Sequence, residues 1–391
     1  MEKVLITGGS HSEVPLIKAL HTLGYEVIST GKDDGGLGHQ IADHYERGDY
    51  SDREYVLKLA QKWDVCGIVS GCNDFAYLSA AYACAMLGLP GHDAPVTAGR
   101  FHHKNEFRKK CMELGIRTPA FYTIRSEEEL EELENKLQYP VIVKPTDLTG
   151  GKGVRRCNNF YEVKMAYQVA VVMTRAQEIL VEEFIEGSNH GLSMLLKDGK
   201  VCFSFYDNEE NYKNKYLVSG AHAPSDLTKD MRLELQRNVE RIAESWKLKD
   251  GLFHCQCIKN ARGEVFMIDP CRRSPGDLYL LLVEYATGCR YAENIVRAEL
   301  GLEYDIKTEE NIRIIARECL MPECNGTYQE LIIPKEYEDR IIDRVIWGQR
   351  GFVIDDYMKY KVGILFLEFD SIDEERTMLK ELREKIRLVM E

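Results

Sequence analysis

The first hundred residues alternate short apolar, β-branched runs with longer stretches of helical periodicity. Residues 4–7, 25–30 and 67–70 have the composition of buried strands, and a helical pattern follows each of them. The turn Gly8-Gly9-Ser10 joins the first strand to a helix predicted at residues 14–23. Because parallel strands need helical crossovers, this alternation predicts a parallel α/β sheet at the start of the chain.

A second unit begins near Phe101 and has a different order of elements. A strand pair at residues 141–144 and 154–156 brackets a glycine-rich loop, and 253–258 with 265–269 predicts a hairpin. A capping box at 51–54 precedes a helix whose apolar face contains Val56, Leu59, Ala60 and Trp63. Further helices are predicted at 105–114, 127–134, 231–246 and 372–389. From about residue 305, short strands are predicted before the final helix at 372–389.

Composition limits the classes of function. At roughly 150 residues per domain, 391 residues predict two to three domains. A net charge of −13 disfavours binding to nucleic acid or to anionic membranes. The twelve cysteines are scattered through a long chain, which favours free thiols over disulfides. No apolar run approaches the ~18 residues of a membrane span, and no signal-peptide pattern precedes the first strand. We expect a soluble cytoplasmic protein.

A lysine leaves a buried strand just before a flexible loop. The segment YPVIVKP at residues 139–145 ends with Lys144 and Pro145, and GGKG follows at 150–153. An ammonium group and several backbone N–H groups at such a place can bind a polyphosphate. A hairpin turn with a solvated lysine explains the loop equally well, because the Walker spacing GxxxxGK[ST] is absent.

Two further segments carry polar side chains at the ends of apolar strands. LVEEFIEG at residues 180–187 places carboxylates where adenine and ribose could donate to them, although an edge strand is an equal alternative. In the predicted hairpin, alternation puts His254 and Gln256 on the face opposite to Cys255 and Cys257. Oxygen ligands from Gln256 and Asp269 suit Mg²⁺, and zinc held by the cysteines is disfavoured because no CxxC is present.

Together with Lys104, these segments follow the order and spacing of the ATP-grasp superfamily, which includes carboxylate-amine ligases, biotin carboxylase and carbamoyl-phosphate synthetase. IAD at 41–43 and LGLPG at 87–91 are similar to the pre-ATP-grasp domain of that family. The resemblance implies an α/β fold with a Rossmann-like pre-ATP-grasp domain at 1–100. An α+β ATP-grasp domain of central and nucleotide-binding lobes would follow at 101–304, and a C-terminal lobe at 305–391.

The resemblance implies that the chain binds ATP. The residues that it assigns to the phosphates and to the loop above them are Lys104, Lys144, Gly150, Gly151, Lys152 and Gly153. The residues that it assigns to the nucleoside are Glu182, Glu183, Ile185 and His190. Glu182 would meet the adenine amino group, and His190 would lie near the ribose. Glu183 and Ile185 would offer backbone groups to the ring.

The resemblance also implies a Mg²⁺ site and a set of catalytic residues. Gln256 and Asp269 take the positions of two metal-binding glutamates, and Arg273 would contact the transferred γ-phosphate, with Arg272 and Lys152 as further catalytic candidates. The family pattern is Glu, Glu and Asn, so Gln256 and Cys271 are departures. They predict either one tightly held metal or ligands supplied by the substrate.

The function predicted from this resemblance is an ADP-forming ligase that joins a small-molecule carboxylate to an amine through an acyl phosphate. An ATP-grasp kinase and a non-catalytic ATP-binding regulator are the alternatives, and a homodimer is a candidate assembly. A nicotinamide-dependent oxidoreductase is disfavoured, because GGSHSE at 8–13 lacks the third glycine of GxGxxG. Acceptor contacts are expected from 206–222 and 272–279, although either segment could be a mobile surface loop. The candidate side chains in the first segment are Lys213, Lys215, Ser219 and His222.

Overall fold

The computed structural model describes residues 1–309 and 311–391. The chain begins with a four-stranded parallel sheet in the order β3-β2-β1-β4. Its strands are β1 (Lys3–Thr7), β2 (Glu26–Gly31), β3 (His44–Arg47) and β4 (Gly67–Ser70). Its helices are α1 (Val14–Thr22), α2 (Leu37–Ile41), α3 (Arg53–Trp63) and α4 (Asp74–Leu87). The predicted parallel α/β unit is confirmed.

A small antiparallel sheet follows, in the order β5-β8-β6-β7. It is preceded by α5 (Pro95–His102) and α6 (Lys104–Glu113). Its elements are β5 (Phe121–Ile124), α7 (Glu127–Glu131), β6 (Val141–Pro145), β7 (Arg155–Cys157), α8 (Phe160–Met173) and β8 (Ile179–Glu183). Strand β6 is buried along its whole length and is apolar apart from Lys144, which is therefore carried on a rigid element.

An eight-stranded antiparallel sheet forms the largest part of the molecule, in the order β13-β12-β9-β10-β11-β14-β18-β16. Its strands are β9 (Gly187–Lys197), β10 (Lys200–Asn211), β11 (Val218–Ala223), β12 (Gly251–Asn260), β13 (Val265–Cys271), β14 (Ile314–Leu320), β16 (Ile341–Ile346) and β18 (Gly363–Phe369). The helices of this region are α9 (Lys229–Trp246), α10 (Tyr279–Thr287), α11 (Tyr291–Glu299), α12 (Lys335–Glu338) and α13 (Ile372–Lys385). A small sheet contains β15 (Gly326–Ile332), β17 (Val353–Ile354) and β19 (Arg387–Met390).

The large sheet continues across the predicted boundary between residues 304 and 305, because β11 pairs with β14. One cluster of buried side chains also joins all three predicted regions, with Leu16 from α1, Phe205 from β10 and Phe366 from β18. The division into three domains therefore stays a prediction. In the part of the chain that the model covers, no helix combines the length and apolar character needed to cross a membrane.

Local sequence patterns predicted most helices and strands, and the structure changes the bounds of some of them. The hairpin of β12 and β13 is confirmed. The N-cap of α3 is Asp52 rather than Ser51, because its carboxylate accepts the N–H groups of Glu54 and Tyr55. The predicted helix at 372–389 ends at Lys385, and the residues after it pair as β19 with β15.

Candidate active site

A cavity of about 610 Å³ lies between the small antiparallel sheet and the eight-stranded sheet. Its walls include Ile142 and Ile185 from one side and Ile258 from the other, with Asp74 and His102 contributed by the N-terminal part of the chain. This volume is within the usual range for small-molecule and cofactor sites. The predicted residues Lys104, Lys144, Gln256, Asp269 and Arg273 all line it.

Lys144 lies at the centre of a buried ion-pair network in this cavity. Its Nζ is 2.7 Å from Glu182 Oε1 and 3.5 Å from Asp269 Oδ1. The other Glu182 oxygen, Oε2, accepts from Arg108 Nε at 3.1 Å. Burial raises the pKa of Glu182, but Arg108 and Lys144 outweigh burial and lower it, so the carboxylate is ionised.

The network gives Glu182 a role that the sequence did not predict. Each of its oxygens faces a cation, and it holds the Lys144 ammonium at the cavity wall. Its contact with an adenine amino group stays a prediction. Arg108, which the sequence interpretation missed, is fully buried, and its position in the charged helix α6 carried no signal of this role.

Asp269 is an ionised carboxylate beside the cationic side chains of the cavity. Burial by itself raises its pKa, but Lys144, Lys104 and Arg108 together hold the pKa well below its usual range. Gln256 is close by, and its Nε2 donates to Glu209 Oε2 at 2.5 Å. Glu209 also lines the cavity and was missed by the sequence interpretation. Glu209 lies on β10, and its position at the cavity depends on the place of β10 in the sheet.

The donor set around Asp269 is small for a metal site. Among residues 1–309 and 311–391, no group of three or more His, Cys, Asp or Glu side chains could hold a metal ion. Mg²⁺ is commonly held by one or two carboxylates together with substrate phosphates and water. Asp269 and Gln256 therefore fit a cation that arrives with a nucleotide. The cysteines are free thiols, as predicted.

The glycine loop reaches the cavity from β6. Gly150 and Gly151 line it, and both have left-handed backbone conformations, with φ of +67° and +71°. A Cβ on Gly151 would lie 2.5 Å from the carbonyl oxygen of Tyr216, so this position requires glycine. Gly153 and the exposed Lys152 lie outside the cavity lining. Lys152 is thus not in a catalytic position in this structure.

Residues 109–267 match the family model of the ATP-grasp domain. This chain contains an ATP-grasp domain. The match includes Lys144, the glycine loop, Glu182 and Gln256, whereas Lys104, Asp269 and Arg273 lie outside the matched residues.

The ATP-grasp relatives are distant in sequence. The urea amidolyase of Lachancea kluyveri is 24% identical over 271 residues, which are 63% of this chain and 14% of the relative. The D-alanine--D-alanine ligase of Bacillus cytotoxicus is 30% identical over 184 residues, or 43% of this chain and 48% of that ligase. This chain thus spans less than half the length of either relative.

The fold is shared over the whole chain. The crystal structure of an L-amino acid ligase from Bacillus licheniformis matches with a TM-score of 0.85 at 20% identity. The match covers 100% of this chain and 99% of that chain.

The two neighbouring arginines after β13 point to different places. Arg273 lines the cavity, and its Nε donates to Asp74 Oδ1 at 2.7 Å. Arg272 is buried away from the cavity, where its Nε donates to Asp93 Oδ2 at 2.7 Å and its NH2 to the Lys249 carbonyl at 2.5 Å. The structure therefore does not support the predicted catalytic role of Arg272, because its guanidinium is engaged in a structural contact away from the cavity.

The structure also shows the surroundings of the other residues predicted to contact the nucleoside. His190 lies outside the cavity lining, buried between Ser188 Oγ at 2.7 Å and Ser225 Oγ at 3.1 Å. Burial lowers its pKa to about 4, so the imidazole is neutral. The N–H of Glu183 already donates to the Ala120 carbonyl at 2.8 Å. Ile185 lines the cavity and lies beyond the end of β8. The backbone contact predicted between Ile185 and the adenine ring therefore stays a prediction.

Of the four candidate acceptor side chains named in the segment 206–222, only Lys215 lines the cavity. Lys213 pairs with Glu323, and His222 pairs with Glu375. Ser219 donates to the Glu210 carbonyl at 3.2 Å. The cavity is also lined by Arg317 of β14, which the sequence interpretation missed. No local pattern predicts that a strand so far along the chain joins this sheet.

Proposed function

We propose that this chain is an ATP-dependent, ADP-forming ligase that joins a carboxylate to an amine through an acyl phosphate. The observation that carries the proposal is the convergence of Lys104, Lys144 and Arg273 with the ionised Asp269 on one cavity. Such a set of cations binds and neutralises a polyphosphate. The names of the D-alanine--D-alanine ligase and of the L-amino acid ligase agree with ligase chemistry on this fold.

In the proposed complex, the phosphates of ATP lie at Lys104, Lys144 and the glycine loop, and the adenine ring lies near Ile185. Lys104 Nζ donates to the Leu148 carbonyl at 2.6 Å, which places this buried ammonium beside the loop. Asp269 and Gln256 would hold Mg²⁺. When bound, this ion supplies charge neutralisation to the phosphates.

The proposed reaction has two displacement steps. A carboxylate oxygen of the substrate attacks the γ-phosphorus, the bond from that phosphorus to the bridging oxygen breaks, and ADP leaves with the electron pair. An amine nitrogen then attacks the acyl carbon, phosphate leaves with the electrons of the C–O bond, and the amine loses a proton. Arg273 stabilises negative charge on the transferred phosphoryl group, and the loop excludes water from the acyl phosphate.

A screen with hydroxylamine as the amine tests this proposal. With the correct carboxylate, we expect a hydroxamate, ADP and phosphate in equal amounts, measured by colorimetry and chromatography. Release of AMP and pyrophosphate would contradict the proposal, because it indicates adenylation. ADP with a stable phosphorylated product and no free phosphate would instead support a kinase.

A further inference from the structure

Two carboxylates on strand β10 lie inside the molecule without a cationic partner. Asp207 is fully buried, and Glu209, two residues further on the same face of the strand, lines the cavity. Among residues 1–309 and 311–391, no lysine, arginine or histidine nitrogen lies within 4.0 Å of either carboxylate. Since burying a carboxylate is costly unless it is paired, this face of β10 is suited to a cation from outside the chain.

Glu209 reaches Gln256 across an intervening strand. In the large sheet, β9 lies between β10 and β12, and Gly191 of β9 is in register with Gln256 on one side and with Asp207 on the other. A Cβ on Gly191 would lie 2.6 Å from Asp207 Oδ2, so this position requires glycine. Because Gly191 has no side chain, the long side chains of Glu209 and Gln256 can meet over β9.

The contact between these two side chains fixes the orientation of the Gln256 amide. An ionised carboxylate only accepts hydrogen bonds, so the 2.5 Å contact with Glu209 Oε2 engages Nε2 of Gln256. The carbonyl oxygen Oε1 is the end of the amide that is left for a cation beside Asp269. The charge of Glu209 also polarises the amide, which increases the negative charge on Oε1.

Glu209 and Asp269 act on the same part of the cavity. Burial raises the pKa of Glu209, and the charges of Asp207 and Asp269 raise it further. Both Glu209 and Asp269 line the cavity wall. A divalent cation beside them would offset the repulsion between the carboxylates, and Mg²⁺ is commonly held by one or two carboxylates together with substrate phosphates.

We propose that Glu209 is a positioning residue for the divalent cation, an inference that rests on the proposed ligase function. It holds Gln256 so that the amide oxygen, together with Asp269, binds the Mg²⁺ that arrives with the nucleotide. Hydrogen-bond partners behind a metal ligand orient the ligand and tune its basicity in this way. The pair of Glu209 and Gln256 therefore supplies from two strands the negative charge that a glutamate at position 256 would supply alone.

The test measures metal binding without turnover. Mn²⁺ is titrated at about pH 8 into the protein saturated with ADP, and free Mn²⁺ is followed by electron paramagnetic resonance. Glu209→Gln keeps the shape of the side chain and removes its charge, so the dissociation constant for Mn²⁺ should rise at least about tenfold. The double variant Glu209→Gln with Gln256→Glu moves the carboxylate to the other side of the same contact. It should bind Mn²⁺ at least as tightly as the wild type.

Glu210→Gln is the matched control, because Glu210 follows Glu209 on β10, is exposed and lies outside the cavity lining. It should bind Mn²⁺ like the wild type. In the absence of metal, the ADP affinity of each variant should stay within about twofold of the wild-type value. Metal-free Glu209→Gln should not melt at a lower temperature than the wild type, because it removes a charge that burial disfavours.

Unchanged Mn²⁺ affinity in Glu209→Gln, or a double variant that binds Mn²⁺ no better than Glu209→Gln, overturns the inference. Absence of Mn²⁺ binding in the wild type overturns it also. Failure of the hydroxamate screen beside Glu209-dependent Mn²⁺ binding would reject the ligase function and leave the cation position intact. A productive screen beside Mn²⁺ binding that does not depend on Glu209 would reject the role of Glu209 alone.

Discussion

Lys144 is the residue on which nucleotide binding depends most directly. Its ammonium is buried and lies on the cavity wall. Lys144→Ala should remove a charge-assisted contact of about 1.5–3 kcal/mol, so ATP affinity measured by calorimetry should fall roughly ten- to hundredfold. Lys164→Ala is a suitable control, because Lys164 lies in α8 and pairs on the surface with Glu131. Unchanged ATP affinity in Lys144→Ala would remove Lys144 from the site.

Asp269 and Gln256 should respond in opposite ways to substitution. Asp269→Asn removes the ionised oxygen ligand, so Mn²⁺ binding in the presence of ADP, followed by electron paramagnetic resonance, should weaken at least about tenfold. Gln256→Glu replaces a neutral amide oxygen with an anionic oxygen ligand at the site of Asp269, so Mn²⁺ should bind more tightly. If Asp269→Asn bound Mn²⁺ like the wild type, the metal would lie elsewhere.

At the scale of elements, His222 of β11 and Glu375 of α13 join the last long helix to the large sheet. Burial lowers the pKa of His222, but Glu375, with Glu210 of β10 and Glu318 of β14 nearby, raises it above its usual value of 6.5. The stabilisation from the charged imidazole is therefore complete below the unfolded pKa. It is lost as pH rises through the higher folded pKa.

We expect His222→Gln to lower the free energy of unfolding by about 1–3 kcal/mol near pH 6, with a smaller loss near pH 9. Urea denaturation of both proteins across this range measures the difference. A difference that grew with pH would contradict the ion pair. Because Arg383 and Glu318 also lie at this junction, Arg376→Gln, which removes an exposed contact of α13 with Asp226, serves as the control.

At the scale of the whole molecule, Asp93 and Arg272 connect the N-terminal part of the chain to the end of β13. Both side chains are almost completely buried, and Asp93 also accepts from the Lys249 N–H and the Tyr77 hydroxyl. Arg272→Met leaves a buried carboxylate without its cation. We expect a loss of about 3–5 kcal/mol in the free energy of unfolding, measured with urea.

The exposed pair of Arg340 and Asp370 gives the comparison for that prediction. Asp370→Asn should cost less than about 1 kcal/mol, because surface ion pairs are weak. Equal effects of Arg272→Met and Asp370→Asn would contradict the structural role of Arg272.

One buried cluster joins Leu16, Phe205 and Phe366. During urea denaturation, the fluorescence of Trp63, Trp246 and Trp347 should therefore report a single unfolding transition.

Local sequence patterns were sufficient to predict the parallel α/β start, the glycine loop after β6 and the hairpin that carries Gln256 and Asp269. These features depend on alternation, helical periodicity and turn residues within a short stretch of chain, and all three patterns are local. The placement of Gln256 on the cavity face of β12 was predictable for the same reason, because side chains alternate along a strand.

Long-range contacts determine which neighbouring side chains face the cavity and which are engaged elsewhere. Arg272 and Arg273 are adjacent in sequence, yet Asp93 takes one guanidinium and Asp74 orients the other at the cavity wall. Arg317 enters the site because β14 pairs with β11 across a long stretch of chain. Such contacts depend on sheet order and on the burial of charge between distant segments, and no local pattern in the sequence records either of them.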